Sequence, residues 1–381
     1  MNFKLTEDQI MFRDMIREFS EKEIMPEAKS LEEKHEFPTT LISKLSELGV
    51  LGMSVPSQYN GSCLDHISLM IAIEEISRAF PALAVIFSVH CSLFCYSILK
   101  YGNEDQKKQY LPRAAEGDIL GAFSLTEPGA GSDAANIKTK AEKQGDIYIL
   151  NGTKNWVSSG NNADFFILIA VTGEDQKGRK KLSAFIVDKN TPGFRVSKIE
   201  EKMGLNASLT AELTLEDCRI PAENLLGEEG SGIKIALHCL DSSRIGIAAQ
   251  SVGLAQRAME EAVKYGKERE AFKKKIVDFQ AIQFMLADMG TSIEAARLLT
   301  YRAADLFDKG ETFTKEAAMA KLFASETAIK VVYDALQIHG GYGYSKEFPI
   351  EQLYRDARVL TIYEGTSEIQ RLVISRLLLN E

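Results

Sequence analysis

The apolar positions of the first third of the chain follow a helical period. Thr6 and Gln9 have the spacing of a capping box at a helix start. The apolar residues that follow are spaced i, i+3, i+4 and i+7: Phe12, Met15, Ile16 and Phe19. The stretch from Leu83 to Leu99 contains no Lys, Arg, Asp or Glu, and it predicts a buried helix.

The pattern changes to short β-rich runs between about Gly121 and Gly230. Turn residues separate four such runs: Ile147–Leu150, Phe165–Ala170, Leu182–Val187 and Phe194–Ile199. The segment from Leu205 to Ile220 adds further strand-like alternation. The dipeptide Asn151-Gly152 predicts a hairpin turn.

A helical pattern returns at Ile233 and continues to the end of the chain. An apolar stripe runs through Ile282, Leu286, Met289 and Ile293. A second long helix precedes Gly340-Gly341, and Ile369 to Leu379 form a third apolar helix. The order helix, sheet, helix predicts an α+β fold with segregated elements, unlike the βαβ alternation of a dinucleotide-binding sheet.

Composition and charge narrow the class of protein. A chain of 381 residues predicts two or three domains, and the net charge of −9 argues against a nucleic-acid binder. The five cysteines contain no C-x-x-C pair, and the five histidines show no metal-ligand spacing, so we expect reduced thiols and no metal site. We expect neither a targeting segment in Met1 to Ile10 nor a membrane-spanning helix, and hence a cytoplasmic location.

The first candidate site is the segment from Phe123 to Asp133. Its glycines expose backbone N–H groups beside hydroxyls and carboxylates, which suits a ring with carbonyls and a phosphate nearby. It contains a G-x-G-x-x-A match, but polar turn sequence follows where an apolar helix is required, so a Rossmann fingerprint is rejected. Taken alone, the segment could equally be an ordinary loop.

The second candidate is Asn155 to Gly160, which contains the single tryptophan, Trp156. Burial of a large ring in the core is the usual role of a lone tryptophan. The adjacent hydroxyl-rich segment raises the alternative that Trp156 stacks on a cofactor.

The third candidate is Ile362 to Glu368, which leads into the last helix. Gly365 permits an unusual backbone turn, and Thr366 can cap the helix. Glu364 is then either a carboxylate that pairs with the helix dipole, worth about 0.3–1 kcal/mol, or a functional acid.

Three further segments are weaker alone. Asp241 to Arg244 lies within a predicted helix, where Asp and Arg at i, i+3 could be a surface pair. Arg269 could be a solvated charge, and Gly340 to Gly343 could simply end a helix.

These motifs together, in register over essentially the whole chain, resemble the acyl-CoA dehydrogenase family, and most closely its short-chain or butyryl-CoA type. The resemblance implies an all-α N-terminal domain (residues 1–120), a central β-barrel domain (121–229) and a C-terminal four-helix bundle (230–381). It also implies FAD as cofactor and a homotetramer built as a dimer of dimers.

The resemblance assigns site residues one by one. Those implied to bind FAD are Phe123, Leu125, Thr126, Gly131, Ser132, Trp156, Val157, Ser158, Thr366, Ser367 and Glu368. Those implied to contact FAD in the site of a neighbouring subunit are Arg269, Gln280, Gln337, Ile338, Gly340 and Gly341, and Phe272 is also implied to contact FAD. Those implied to bind the acyl-CoA substrate are Ser132, Asp241, Ser242, Ser243, Arg244, Tyr363 and Gly365.

The resemblance also implies a reaction. Glu364 removes an α-proton, its backbone N–H stabilises the enolate oxygen, and the flavin accepts the β-hydride. Some relatives carry the base at the position of Ser243, but serine cannot act as that base, which leaves Glu364. The implied electron acceptor is an electron-transfer flavoprotein.

Two other functions stay open at this point: an oxidase of the same fold that uses O₂, and an inactive acyl-CoA-binding homologue. The acyl group is predicted to be short and neutral, whether linear, branched or alicyclic. This prediction places Phe87, Cys91, Phe94, Cys95 and Ile98 on the helix face that lines the acyl tail, although plain core packing is the alternative.

Overall fold

The computed structural model describes residues 4–380; residues 1–3 and 381, which the predicted domain bounds include, lie outside the described part. The N-terminal region is helical, as predicted, and the Thr6–Gln9 capping box is confirmed. Its helices are α1 (Glu7–Phe19), α2 (Met25–Lys34), α3 (Thr39–Glu47), α4 (His66–Ala79), α5 (Pro81–Ser88), α6 (Tyr96–Tyr101) and α7 (Glu104–Ala115). Two π-helical segments, Ser20–Ile24 and Val89–Cys95, join α1 to α2 and α5 to α6.

The continuous helix Pro81–Tyr101 is the predicted buried helix. By length and composition alone it is apolar enough to cross a membrane, with a mean hydropathy of 2.0 over its most apolar window. However, 89% of that window is buried inside the protein, which is the environment of a core helix. Its π-helical middle rotates the residues that follow relative to those before.

The central region is a mixed β-sheet of eight strands. They are β1 (Gly121–Ser124), β2 (Lys140–Gln144), β3 (Ile147–Ser158), β4 (Phe165–Glu174), β5 (Lys180–Asp188), β6 (Phe194–Ile199), β7 (Thr210–Pro221) and β8 (Leu225–Leu226). The order is β6-β7-β3-β2-β4-β5-β8, and β1 pairs in parallel with β4. Strands β4 and β5 each contain six consecutive buried residues, and the sheet forms two apolar clusters of its own.

The predicted hairpin turn at Asn151-Gly152 is wrong. Both residues lie inside β3, at a register shift in its pairing with β7. The observed turn joins β2 to β3 at Gly145-Asp146, where Gly145 has a φ of 59°. Gly152 is needed for a close approach, because a Cβ atom there would lie 2.5 Å from the Thr139 hydroxyl.

The C-terminal region is again helical. It contains α8 (Gly232–Glu268), a short β-ladder of β9 (Glu270–Ala271) and β10 (Lys274–Lys275), α9 (Gln280–Asp308), α10 (Thr314–His339), α11 (Ile350–Ala357) and α12 (Ser367–Leu378). One continuous apolar core includes residues of α4, α5, α8, α9 and α10, so the two helical regions pack together. The α+β fold class is confirmed.

Candidate active site

The turn between α11 and α12 carries Glu364 in an unusual conformation. Glu364 and Gly365 are consecutive residues with positive φ values, 55° and 89°. Thr366 then caps α12, because its hydroxyl accepts a hydrogen bond from the Ile369 N–H at 3.3 Å. A left-handed conformation is uncommon for a residue other than glycine, and it persists only where the surroundings hold it.

Three side chains hold this turn by its two carbonyl groups. Arg244 Nε donates to the Glu364 carbonyl at 3.1 Å, and Lys321 Nζ donates to the Gly365 carbonyl at 2.8 Å. Gln370 Nε2 donates to both carbonyls, at 3.1 and 2.9 Å. The three donors come from α8, α10 and α12, so the packing of these helices fixes the turn.

The Glu364 carboxyl group lies in a buried, electropositive position. Burial raises its pKa to about 7, and the positive charges of Arg244 and Lys321 oppose that rise. The Ser243 hydroxyl faces the carboxyl group and also lowers this pKa, yet neither Ser243 Oγ nor Glu364 Oε2 has a hydrogen-bond partner within residues 4–380. An enclosed carboxyl oxygen without a partner is costly, and such groups are found at functional sites.

The segment Asp241–Arg244 of α8 lies beside Glu364. Arg244 Nη1 donates to Asp241 Oδ1 at 2.6 Å, and the Thr314 hydroxyl donates to Asp241 Oδ2 at 2.8 Å. Asp241 and Arg244 are both buried, so the alternative of a surface pair is wrong. Their burial instead fixes the guanidinium group that holds the Glu364 carbonyl.

Tyr363 connects the same turn to the N-terminal helices. Its hydroxyl donates to Gln250 Oε1, and Gln250 Nε2 donates to the Pro81 carbonyl at 3.0 Å. The predicted substrate residues Asp241, Ser243, Arg244, Tyr363 and Gly365 therefore lie together around Glu364. Ser132 lies in the loop after β1.

A buried ion pair joins the loop after β1 to strand β3. Lys154 Nζ donates to the Leu125 carbonyl at 3.0 Å and to Glu127 Oε1 at 2.9 Å. The Thr126 carbonyl accepts a hydrogen bond from the Asn155 N–H at 2.8 Å. The two predicted flavin segments, Phe123 to Ser132 and Trp156 to Ser158, are thus held side by side.

Trp156 occupies the bulge of β3 between Lys154 and Val157, with a φ of 59°. Trp156 is 57% exposed, so the alternative that it packs in the core is wrong. Val157 is buried beneath it, and Ser158 pairs with Thr210 of β7.

The loop after β1 leaves space for a bound group. A Cβ atom added at Gly129 or Gly131 would meet no other atom within 4 Å. Ser124 Oγ is buried and has no hydrogen-bond partner in the described part of the chain. An open glycine cradle beside an exposed indole fits a large planar cofactor.

A separate open cavity of about 570 Å³ contains four of the residues predicted to serve a neighbouring subunit's cofactor. These four are Arg269, Ile338, Gly340 and Gly341. A Cβ atom at Gly340 or Gly341 would meet nothing within 4 Å, and Arg269 lies over the Tyr342 ring at 5.8 Å. The cavity is thus sterically open, and its lining includes one cation, Arg269, and one acid, Glu347.

The other predicted cofactor residues are distributed differently. Gln280, Gln337 and Phe272 are exposed and do not line that cavity. Ser367 is buried, and its hydroxyl has no hydrogen-bond partner among residues 4–380, whereas Glu368 is exposed at the start of α12.

The residues of the predicted acyl stripe on Pro81–Tyr101 do not all line one cavity. Cys91 and Cys95 line a cavity of about 100 Å³, but Phe87, Phe94 and Ile98 do not. Phe94 packs against β1 instead, because a Cβ atom at Gly121 would meet its ring at 1.9 Å. The π turn shifts the residues after it away from the face that a regular α-helix would give.

Four residues of these sites were missed by the sequence analysis: Glu127, Lys154, Gln370 and Lys321. A usable signal existed for Lys321, since it lies among the alanines of an otherwise apolar helix face. The other three have ordinary polar surroundings in the sequence, and only the fold brings them to their partners.

Comparison with known sequence families covers most of the chain. Residues 6–118 match the acyl-CoA dehydrogenase N-terminal domain, 122–218 the middle domain and 230–379 the C-terminal domain. An acyl-CoA dehydrogenase of Bacillus subtilis (strain 168) is 52% identical over 98% of this chain and 99% of its own length. The mitochondrial short-chain specific acyl-CoA dehydrogenase of Mus musculus is 50% identical over 98% of this chain and 90% of its own length.

Two solved structures have the same fold. Butyryl-CoA dehydrogenase from Megasphaera elsdenii has a TM-score of 0.97 at 43% identity and is covered over the full length of both chains. A chain in a structure described as electron transferring flavoprotein of Acidaminococcus fermentans has a TM-score of 0.97 at 48% identity, also with full coverage of both chains.

Proposed function

The chain belongs to the acyl-CoA dehydrogenase family of FAD-dependent oxidoreductases, and from this premise we propose that it oxidises a short, neutral acyl-CoA to the 2-enoyl-CoA with Glu364 as the base. One observation carries the proposal: an enclosed, unpartnered carboxyl oxygen in a turn held by three side chains. The relatives of short-chain and butyryl-CoA type support the acyl class.

The pKa of Glu364 suits proton removal from a weak carbon acid. A base works best when its pKa lies near the working pH, since it is then deprotonated yet still basic. Burial raises the pKa of Glu364 to about 7, above its usual range, so the carboxylate gains basicity while about half of the groups are deprotonated at neutral pH.

The same turn offers a donor for the enolate oxygen. Arg244, Lys321 and Gln370 hold the carbonyl groups of Glu364 and Gly365, while the Glu364 N–H donates no hydrogen bond within residues 4–380. We assign this free N–H to the thioester oxygen. Loss of one such donor typically reduces the rate by about 100–1,000-fold.

FAD supplies the hydride acceptor when it is bound. The glycine cradle after β1, Trp156 and the Ser158 strand are the residues that we propose to hold its ring. The open cavity with Arg269 and Gly340 has room for a more distant part of the cofactor, and we propose that this part comes from a neighbouring subunit's FAD. This arrangement requires an oligomer, which we propose to be a homotetramer.

The acyl group is proposed to be short and uncharged. Pro81–Tyr101 carries no Lys or Arg before Lys100, so a carboxylate tail would find no partner on it and would be costly to bury. Between Pro81 and Cys95 the residual exposure is largest on Val85 (3%), Val89 (5%) and Leu93 (2%), which are spaced i, i+4 and i+8. We propose that these three side chains face the acyl tail.

Electrons are proposed to pass to an electron-transfer flavoprotein, an acceptor supported by the similar chain from Acidaminococcus fermentans. A cytoplasmic location is likewise a proposal, which fractionation of the producing cells tests.

The experiment is anaerobic titration of the FAD-loaded protein with butyryl-CoA. We expect the flavin absorbance to bleach and to return only slowly in air, and quickly with an electron-transfer flavoprotein. Fast reoxidation by O₂ alone would indicate an oxidase, and no bleaching with any acyl-CoA would contradict the proposal. Glu364→Gln is the matched control, since it preserves shape but cannot take the proton.

A further inference from the structure

Lys321 is a buried cation whose charge the proposed reaction leaves without a role. It is fully buried on the face of α10 that also carries Ala317, Ala324 and Ala328. Its ammonium group donates to the Gly365 carbonyl at 2.8 Å. Burial lowers the pKa of Lys321 to about 8, while the charge of Glu364 raises it. A lysine is rarely kept fully buried unless it is paired, so its partners indicate its role.

The charged groups around Lys321 come from three helices and the Glu364 turn. Glu364 faces it from the turn and Arg244 from α8, while Glu368 lies at the start of α12 and Glu326 lies on α10 itself. The carbonyl that it holds belongs to the residue after Glu364. Glu368 and Glu326 are exposed, so Glu364 is its enclosed acidic neighbour.

We propose that Lys321 is a positioning residue for the proposed base: it anchors the Gly365 carbonyl and presents a positive charge to the Glu364 carboxyl group. This inference rests on the proposed function of Glu364. It adds a residue that sets both the geometry and the proton affinity of that base.

Two physical effects follow from one ammonium group. The anchored carbonyl stabilises the left-handed turn, which would otherwise relax because such a backbone is sparsely populated. The charge favours the carboxylate over the carboxylic acid, because an opposite charge within a few ångströms lowers the pKa of an acid. Gln370 donates to the same carbonyl at 2.9 Å but is neutral, so it shares only the first effect.

The test compares three substitutions in the FAD-loaded protein. Lys321→Met removes both donor and charge at similar volume, and Gln370→Met removes a donor alone. Lys330→Met makes the same change on an exposed lysine of the same helix, which pairs with Asp334. Two quantities are measured: the pH profile of kcat/KM for butyryl-CoA, and the exchange of the α-protons of acetyl-CoA in D₂O, followed by proton NMR.

Acetyl-CoA has no β-carbon, so its exchange reports proton removal without any redox step. For Lys321→Met we expect the acidic limb of both profiles to move to higher pH by about one pH unit, because Glu364 then binds its proton more tightly. Gln370→Met should lower the rates without moving the limb, and Lys330→Met should match the wild type. An acidic limb that stays in place in Lys321→Met overturns the inference.

Failure of the proposed function would look different. If Glu364→Gln exchanges acetyl-CoA protons as fast as the wild type, Glu364 is not the base and the proposed function fails. If Glu364→Gln abolishes exchange while Lys321→Met keeps the wild-type limb, the base assignment stands and only the role of Lys321 is lost.

Discussion

Lys154 Nζ lies 2.9 Å from Glu127 Oε1, and both side chains are buried where the loop after β1 meets strand β3. Burial opposes the ionisation of Glu127, but Lys154 and the N–H groups of Thr139 and Lys138 lower its pKa below the usual range. Burial lowers the pKa of Lys154 to about 8. The pair is therefore costly to form and more costly to break, and it fixes the loop that carries Leu125 to strand β3.

Breaking this pair should loosen the cofactor loop. We expect Lys154→Met to lower the free energy of unfolding by about 3–5 kcal/mol, because it leaves a buried carboxylate without its cation. FAD should also be released during purification, as measured by the absorbance ratio of flavin to protein. Adding Glu127→Gln should restore part of the stability.

Arg195→Ala is the control for the broken pair. Arg195 pairs with Glu216 at 2.9 Å between β6 and β7, but both side chains are exposed. Arg195→Ala should lower the free energy of unfolding by at most about 1 kcal/mol, as for other surface ion pairs. FAD should stay bound. Equal losses in Arg195→Ala and Lys154→Met would contradict a special role for the buried pair.

These sites show which structural features can be predicted from the sequence and which cannot. The motif around Glu364 and Gly365 and the helical periods predict local structure, since capping and amphipathicity depend on neighbours in the chain. The Lys154–Glu127 contact joins residues 27 positions apart, and Lys321 reaches Gly365 across 44 positions. Such contacts depend on the packing of whole elements, and a local pattern does not contain them.

The wrong hairpin at Asn151-Gly152 has the same cause. The dipeptide favours a tight turn locally, but long pairing of β3 with β2 and β7 overrides that preference. The exposed Trp156 is the reverse case, since a bulge in β3 turns outward a ring that burial would otherwise favour.

Gly152→Ala and Gly173→Ala form a matched test of the close approach in the sheet. Both glycines lie at register shifts and have similar φ values, 153° and 159°. Alanine at Gly152 would meet Thr139 at 2.5 Å, whereas alanine at Gly173 would meet nothing within 4 Å. We expect Gly152→Ala to lower the free energy of unfolding, measured by chemical denaturation, by about 1–3 kcal/mol more than Gly173→Ala does. Equal losses of stability in the two variants would show that backbone strain, and not the contact with Thr139, determines the cost of each substitution.

Replacement of the base tests the reaction directly. We expect Glu364→Gln to retain FAD and to lose turnover by several orders of magnitude, because a carboxamide cannot accept the proton. Its circular dichroism spectrum should match the wild type. Activity within about tenfold of the wild type, or roughly 1.4 kcal/mol of barrier, would contradict the assignment.

The pH dependence of stability should reveal the same carboxyl group. Burial raises the pKa of Glu364 from 4.5 in the unfolded chain to about 7 in the folded protein. Between these values the folded state holds a proton that the unfolded state has released, so unfolding becomes easier as the pH rises. Glu364→Gln has no carboxyl group that titrates in this range. Above pH 7 its free energy of unfolding should therefore exceed that of the wild type by on the order of 2 kcal/mol. A constant difference from pH 4 to pH 8 would contradict the raised pKa.

The last prediction concerns the acyl pocket, because either of two faces of one helix could contact the acyl tail. Val85, Val89 and Leu93 keep residual exposure, whereas Cys91 and Cys95 line a cavity of about 100 Å³ on another face. If the first face contacts the tail, Val89→Ala should raise kcat/KM for hexanoyl-CoA relative to butyryl-CoA by about tenfold, since one methylene is worth about 1–3 kcal/mol.

Cys91→Ala is the control for this test, because it shortens a side chain on the other face of the same π-helical segment. Its ratio of the two substrates should stay at the wild-type value. In the wild type, butyryl-, isobutyryl- and cyclohexanecarboxyl-CoA should all be better substrates than octanoyl- or glutaryl-CoA. If octanoyl- or glutaryl-CoA proves best, or if Cys91→Ala alone changes the chain-length preference, the proposed face is wrong. The assignment of Glu364 would remain, because proton removal occurs next to the thioester and not at the end of the tail.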